Sequence, residues 1–113
     1  MATVLITGAS KGIGKAAAIK FASAGWDLLL TARSQEKLKT LSEELKKEGS
    51  KVFTQDIDLS DSSQIAYGMG KLLSHGVLPS VLMNNAGVAW TGELSSMPLE
   101  KWQWLFQVNV TSV

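Results

Sequence analysis

The sequence contains no cysteine, which excludes disulfide bonds and thiol chemistry. It has one histidine, His75, and no carboxylate cluster near it in the sequence, so no metal site is predicted. The sequence also has little excess of either charge sign, because it contains 11 Lys and Arg residues and 10 Asp and Glu residues. The net charge of +1 gives no reason to expect nucleic acid or an anionic membrane as a partner.

Long apolar runs are missing as well. The N-terminal stretch has three consecutive bulky apolar residues, Val4, Leu5 and Ile6, followed closely by a glycine-rich turn. Such a run is too short for a signal peptide or a membrane span, so we expect a cytoplasmic protein without membrane contact. With 45% hydrophobic and 19% charged residues, the composition favours an ordinary globular fold.

Four short apolar runs indicate strands. They begin at Val4, Leu28, Val52 and Val81. None alternates apolar with polar residues, so each is typical of a strand that is covered on both faces, as in a parallel sheet. The intervals between the runs are long enough for one crossover helix each.

The intervals carry helix signals. The predicted helices are Ile13 to Ala24 before Gly25, Gln35 to Glu48 between Ser34 and Gly49, a third from a Ser60 cap to about His75 before Gly76, and a fourth from Pro98 to the last residue. The alternation of strand and helix predicts one α/β domain over residues 1–113, a doubly wound parallel sheet in three layers.

A glycine-rich loop, Thr7 to Gly14, separates the first strand from the first helix. Glycine allows a tight turn and lets backbone amides approach a phosphate at the positive end of a helix. The alternative is a plain turn. A Walker loop is excluded, because Ala16 follows Gly14-Lys15 and Ala9 stands where its first glycine would be. The spacing also differs from G-x-G-x-x-G.

The spacing closely resembles the TGxxxGxG motif of the short-chain dehydrogenase/reductase family. Three further matches follow in the family's order: Asp58-Leu59 after the third strand, the NNAG run that ends at Gly87, and VNV around Asn109. The resemblance covers the whole chain and implies a Rossmann-like fold, here with the strand order 3-2-1-4.

The resemblance also implies roles for individual residues. Those implied to contact the cofactor are Gly8, Ser10, Lys11, Gly12, Ile13, Gly14, Asp58, Leu59, Asn85, Ala86 and Gly87. Asn109 stands where the family has its active-site asparagine, which helps to hold a water and the catalytic lysine in a proton relay. The alternative for Asn109 is a satisfied buried amide or a fraying terminal residue.

The end of the second strand bears on the choice of cofactor. Folds that bind NAD place an acid near this point for the ribose 2′-hydroxyl, whereas an arginine suits a 2′-phosphate. Here Ala32 takes the place of the acid and Arg33 follows it, with Lys11 as a second cation in the glycine loop. We therefore expect NADP(H) to be preferred over NAD(H), unless Arg33 is only a solvated loop charge.

Tyr67 and Lys71 have the spacing of an acid/base pair, and the family's catalytic signature is Tyr-x-x-x-Lys. In that family, however, the signature follows the active-site asparagine, whereas Tyr67 precedes Asn109. The predicted third helix lies on an outer face of the sheet, away from the strand ends where ligands bind. Tyr67 and Lys71 are therefore not expected to be catalytic.

The resemblance implies that this chain is the cofactor-binding half of a longer enzyme, ending before the catalytic serine, tyrosine and lysine. The parent is expected to be an NADP(H)-dependent oxidoreductase that acts on a small-molecule carbonyl or alcohol, and to form a homo-oligomer through the last helix. The alternative is a non-catalytic nucleotide-binding or dimerising fragment. Trp90, Trp102 and Trp104 are expected to serve mainly in packing.

Overall fold

A computed structural model describes residues 2–87 and 97–111 of the chain, with the side chains of residues 102, 110 and 111 outside that description. Strands and helices alternate along the described part. The elements in chain order are β1 (Thr3–Thr7), α1 (Gly12–Ser23), β2 (Asp27–Ala32), α2 (Gln35–Lys46), β3 (Val52–Asp56), α3 (Ser62–Leu73), β4 (Val81–Met83), α4 (Leu99–Phe106) and a π-helical segment (Gln107–Thr111).

The strands form one parallel sheet in the order β3-β2-β1-β4, which confirms the predicted order. Val4 of β1 aligns with Leu28 of β2 on one side and with Val81 of β4 on the other. Val52 of β3 aligns in turn with Leu28. The C-terminal ends of β1, β2 and β3 therefore share one edge of the sheet, where doubly wound folds bind their ligands.

Helices cover both faces of the sheet. Successive side chains of a strand point to opposite sides, so an apolar strand has apolar surface to bury on both faces. On one face, Val4 and Ile6 pack in a core that includes leucines of α2 and alanines of α1. On the other face, Leu5 and Leu29 pack against Leu72 of α3. Full burial of each such side chain contributes about 1.5–3 kcal/mol. The predicted three-layer α/β architecture is confirmed.

The expectation that all four apolar runs are covered on both faces is wrong for β4. Val81 is 39% exposed and Leu82 is 55% exposed, whereas Leu28, Leu29 and Leu30 of β2 are fully buried. The reason is position, since β2 lies between two strands and β4 ends the described sheet. β4 is therefore a partly exposed apolar edge of the described sheet.

The start of the third helix differs from the prediction. Ser60 was expected to cap it, but the cap is Asp61, whose carboxylate accepts hydrogen bonds from the amides of Ser63 and Gln64. A carboxylate at this position also interacts favourably with the helix dipole. Ser60 instead directs its hydroxyl to Asp58.

Other helix ends follow the sequence signals more closely. Ser34 caps α2 by accepting a hydrogen bond from the amide of Lys37. The glycines expected after the first three helices, Gly25, Gly49 and Gly76, have φ angles of +87°, +94° and +77°. The fourth helix begins at Leu99, because Pro98 has extended backbone with ψ of 144°, and it changes to π-helical geometry at Gln107. Residues 112 and 113 lie outside the described part.

Candidate functional site: a pocket at the strand ends

The loop between β1 and α1 turns sharply at two glycines. Gly8 has a φ of +65° and Gly12 has a φ of +58°, a region that favours glycine. Within the described residues, no side chain caps α1, in contrast to the Ser34 and Asp61 caps of α2 and α3. The first-turn amides of α1 are the groups that bind a phosphate in such a loop, and they are not used by a side-chain cap.

The loop after β4 is tied to the glycine loop by hydrogen bonds. The hydroxyl oxygen of Thr7 accepts from the amides of Asn85 and Ala86, each at 3.0 Å. The side-chain amide of Asn85 donates to the carbonyl oxygen of Gly8 at 3.2 Å. These bonds hold the ends of β1 and β4 in one fixed arrangement.

The hydrogen bond between Asn85 and Gly8 requires a glycine at position 14. A Cβ atom at this position would overlap the carbonyl oxygen of Gly8 and would lie 2.6 Å from Nδ2 of Asn85. A Cβ atom on Gly8 would lie 2.9 Å from Cα of Ala86. Gly8 and Gly14 thus permit the close approach of the two loops, a role that differs from direct contact with a ligand.

A pocket of about 390 Å³ opens at the C-terminal ends of β1, β2 and β3, within the size range of small-molecule sites. Its walls combine the glycine loop, the segments after β2 and β3, the loop after β4 and the last helical segment. The lining residues are Gly8, Ser10, Lys11, Thr31, Ala32, Arg33, Ser34, Lys37, Ile57, Asp58, Leu59, Ala86, Gly87, Trp104 and Val108.

The lining of the pocket is rich in positive charge. Lys11 of the glycine loop, Arg33 after β2 and Lys37 in the first turn of α2 all line it. Ala32, the last residue of β2, is buried and carries no acid at this point. A planar guanidinium beside two ammonium groups and a helix N-terminus is a chemical environment that suits a phosphate monoester.

Asp58 is the one carboxylate among the described residues that line the pocket. Its Oδ1 atom accepts hydrogen bonds from the Ser60 hydroxyl at 2.7 Å and the Ser60 amide at 2.9 Å. These bonds, helped by the positive charge of Arg33, lower the pKa of Asp58 below its ordinary value of 3.8. The carboxylate is therefore ionised at neutral pH and rigidly oriented by its neighbour.

Eight of the residues expected to contact a cofactor line the pocket. They are Gly8, Ser10, Lys11, Arg33, Asp58, Leu59, Ala86 and Gly87. The lining does not include Gly12, Ile13, Gly14 or Asn85, and the side chain of Ile13 is 72% exposed. The roles of all these residues toward a ligand stay predictions.

Asn109, the expected relay residue, lies on the π-helical segment and outside the lining of the pocket. Its Oδ1 atom would lie 3.3 Å from a Cβ atom on Gly87, so Asn109 adjoins the loop after β4. The side chain of Asn109 is exposed in the described chain rather than buried. Its role in a proton relay stays a prediction.

Several lining residues were not identified from the sequence. Lys37 was overlooked among the charges of the second helix, although its place three residues after the Ser34 cap is a usable signal. Trp104 on α4 and Val108 on the π-helical segment also line the pocket. No local sequence pattern indicates that these two residues reach it. Gln107 brings this segment close, because its side-chain amide donates to the carbonyl oxygen of Leu59 at 3.2 Å.

Tyr67 and Lys71 lie on α3, outside the lining of the pocket. Tyr67 is 63% exposed on α3, and the Lys71 ammonium lies 5.3 Å from the centre of its ring. Neither side chain lines the pocket. Of the other residues weighed from the sequence, His75 is exposed and stacks on Phe53 with ring centres 4.4 Å apart. Trp90 lies outside the described residues.

Metal-binding clusters and membrane-spanning helices are both absent from the described residues. No group of three or more His, Asp or Glu side chains in residues 2–87 and 97–111 is placed to hold a metal ion. None of the helices in those ranges is long and apolar enough to cross a membrane.

Comparison with known proteins identifies the family. Residues 2–113 match the short chain dehydrogenase family. Sulfoacetaldehyde reductase 2 of Chromohalobacter salexigens is 37% identical over 108 residues, which are 95% of this chain and 42% of the relative. The chain belongs to the short chain dehydrogenase family.

Solved structures agree in fold. The short-chain dehydrogenase from Sphingobium yanoikuyae, in complex with NADPH, superposes with a TM-score of 0.90 at 35% identity and covers 99% of this chain. The alcohol dehydrogenase from Thermococcus sibiricus, complexed with 5-hydroxy-NADP, has a TM-score of 0.93 at 32% identity and the same coverage. This chain spans 44% and 48% of those two proteins, less than half of either.

Proposed function

We propose that this chain is the cofactor-binding part of an NADP(H)-dependent oxidoreductase that transfers hydride between nicotinamide and a small carbonyl or alcohol substrate. The observation that carries the proposal is the pocket at the strand ends. Its lining combines the loop before the uncapped N-terminus of α1, three cationic side chains and the carboxylate of Asp58. The cofactor supplies the hydride chemistry when it is bound.

The residues of the pocket fit the parts of a dinucleotide. The glycine loop from Gly8 to Gly14 would hold the pyrophosphate by its amides, since α1 begins there without a side-chain cap. Asp58 and Leu59 would border the adenine, and Ala86 and Gly87 would line the pocket further in. Asn85 would act mainly by bracing the glycine loop, because its side chain is bonded to Gly8.

A preference for NADP(H) over NAD(H) rests on the cationic side chains that line the pocket. Arg33 would bind the 2′-phosphate by its planar guanidinium, and Lys11 would add a second charge. No acid stands at Ala32 to accept a hydrogen bond from an unmodified ribose hydroxyl. The relatives solved with NADPH and 5-hydroxy-NADP support this assignment by similarity.

We expect the transfer of a proton to need a tyrosine and a lysine that are not among the lining residues described above. Asn109 would hold a water and help to position a lysine, while a tyrosine would exchange a proton with the substrate oxygen. Tyr67 is the only tyrosine in the sequence and does not line the pocket. We therefore expect these 113 residues to bind the cofactor without turning a substrate over.

A second candidate is a nucleotide-binding or dimerising function without chemistry. Exposed apolar side chains favour it, because Leu82 is 55% exposed, Leu99 is 67% exposed and Phe106 is 47% exposed. A homo-oligomer through the last helix would cover part of this surface. A cytoplasmic location accords with a sequence that lacks cysteine.

The proposal is tested by titrating the purified protein with NADPH and NADH, with Arg33→Ala as the variant. Loss of a charge-assisted contact should weaken NADPH by about 10- to 100-fold and leave NADH nearly unchanged. Lys39→Ala removes an exposed charge of α2 outside the pocket and is the matched control. Equal losses for the two cofactors would contradict the preference, and no binding of either would contradict the proposed function.

A further inference from the structure

Trp104 has the largest side chain among the described residues that line the nucleotide pocket. It lies on α4, and its indole is only partly buried. The ammonium of Lys101 lies 4.5 Å from the centre of the ring. Lys101 itself does not line the pocket.

Trp104 is held close to the end of β3. Gln107, three residues further along the chain, donates its side-chain amide to the carbonyl oxygen of Leu59 at 3.2 Å. Residues three apart on a helix lie on neighbouring positions of one face, so this bond anchors the face that carries Trp104. Val108, 6% exposed, lines the pocket beside it.

The part of the pocket near Trp104 is the part where an adenosine would lie. In a doubly wound fold, the residue at the end of β2 recognises the ribose of the adenosine. Arg33 and Asp58, after β2 and β3, line this pocket together with Trp104. The cationic side chains of the lining thus suit a phosphate, and Ile57, Val108 and Trp104 provide apolar surface for a base.

We infer that Trp104 is a binding residue for the adenine base, with its indole forming an aromatic wall of the nucleotide pocket. The inference rests on the proposed function, and it changes the role of Trp104 from packing to ligand contact. A flat purine gains binding energy by stacking on an aromatic surface. The ammonium of Lys101 lies over the Trp104 ring and helps to orient it. An aliphatic side chain of similar size would fill the space without this interaction.

The test uses adenosine 2′,5′-bisphosphate and AMP as probes, titrated calorimetrically into wild-type protein, Trp104→Leu and Trp104→Phe. We expect Trp104→Leu to bind both probes about five- to tenfold more weakly, because a base contact is common to both. Trp104→Phe keeps an aromatic face and should stay within about threefold of wild type. Arg33→Ala should differ from Trp104→Leu by weakening only the bisphosphate.

Indole emission provides a readout that a purely structural role would not produce. Adenosine 2′,5′-bisphosphate should change the emission of wild-type protein and of the control variant Trp26→Phe. In the wild type, the indole of Trp26 packs edge-on against Phe21, with ring centres 5.0 Å apart. Trp104→Phe should lose that change. An emission change that persists in Trp104→Phe would overturn the inference even if Trp104→Leu fails to fold.

The outcomes separate the two proposals. Wild-type protein that binds neither probe contradicts the proposed function and, with it, the role of Trp104. Wild-type protein that binds adenosine 2′,5′-bisphosphate, together with Trp104→Leu of unchanged affinity, contradicts the role of Trp104 alone. Weaker binding by Trp104→Leu with rescue by Trp104→Phe supports both.

Discussion

The side-chain amide of Asn85 donates a hydrogen bond to the carbonyl oxygen of Gly8 at 3.2 Å, across 77 residues of sequence. The bond closes the turn after β1 against the loop after β4. It also explains Gly14, because a Cβ atom there would displace both partners. The shape of the nucleotide pocket therefore depends on contacts behind its wall.

Thr7→Val tests the bonds that support the Asn85 loop. Valine keeps the shape of the side chain but removes the oxygen that accepts from the amides of Asn85 and Ala86. The amide of Asn85 also donates to the carbonyl oxygen of Met83, so the main loss is the bond from the partly buried amide of Ala86. Losing this bond should lower the free energy of unfolding by about 1–3 kcal/mol, measured by urea denaturation. Thr7→Ser keeps the hydroxyl and should lose less, so a larger loss in the serine variant would contradict this account.

Gly68 and Gly70 form a matched pair on α3. A Cβ atom on Gly68 would lie 2.5 Å from Cγ1 of Ile57, a side chain that is 2% exposed, whereas a Cβ atom on Gly70 would meet nothing within 4 Å. Gly70→Ala should stabilise the protein by about 0.5–1 kcal/mol by relieving the cost of glycine in a helix.

Gly68→Ala should instead destabilise it, because crowding a packed core costs about 1–3 kcal/mol and outweighs the gain in helix propensity. Thermal unfolding of the two variants measures the difference. Equal stabilisation by both alanines would show that α3 can move away from Ile57 at no cost.

Acid titration tests the bonds between Ser60 and Asp58. The Ser60 hydrogen bonds depress the folded pKa of Asp58, so the stability it contributes is complete above the unfolded value near 3.8 and is lost as pH falls through the folded value. In Ser60→Ala, the pKa of Asp58 should rise toward 3.8, which removes that acid-dependent contribution.

Carboxyl NMR resonances followed from pH 7 to acid would report this change directly. Ser63→Ala is the matched control, since Ser63 donates to Asp61 rather than to Asp58. It should move the titration of Asp61 and leave that of Asp58 in place. An Asp58 titration unaffected by Ser60→Ala would assign its lowered pKa to Arg33 instead.

Tyr67→Phe tests whether the Tyr67–Lys71 pair has any catalytic role. We expect no carbonyl-dependent oxidation of NADPH by the wild-type 113 residues and unchanged NADPH affinity in the variant, because Tyr67 is 63% exposed on α3. The assay follows NADPH absorbance with simple aldehydes and ketones. Steady turnover that disappears in Tyr67→Phe would establish a catalytic function for this exposed pair.

The sequence was sufficient for features that depend on neighbouring residues. Apolar runs predicted the strands, Ser34 marked the start of the second helix, and the spacing of Gly8, Gly12 and Gly14 indicated a tight turn between β1 and α1. Local rules failed where two adjacent residues compete, as at Ser60 and Asp61. There the carboxylate takes the cap, and the serine binds Asp58.

The sequence by itself determined the α/β pattern, the strand order implied by the family and the segments that meet at the strand ends. Only the tertiary structure showed that Thr7 and Asn85 brace the loops and that Lys37 and Trp104 reach the pocket. The physical reason is distance along the chain. Helix and turn preferences act over a few residues, whereas these contacts join segments that meet only when the sheet has assembled and its helices have packed.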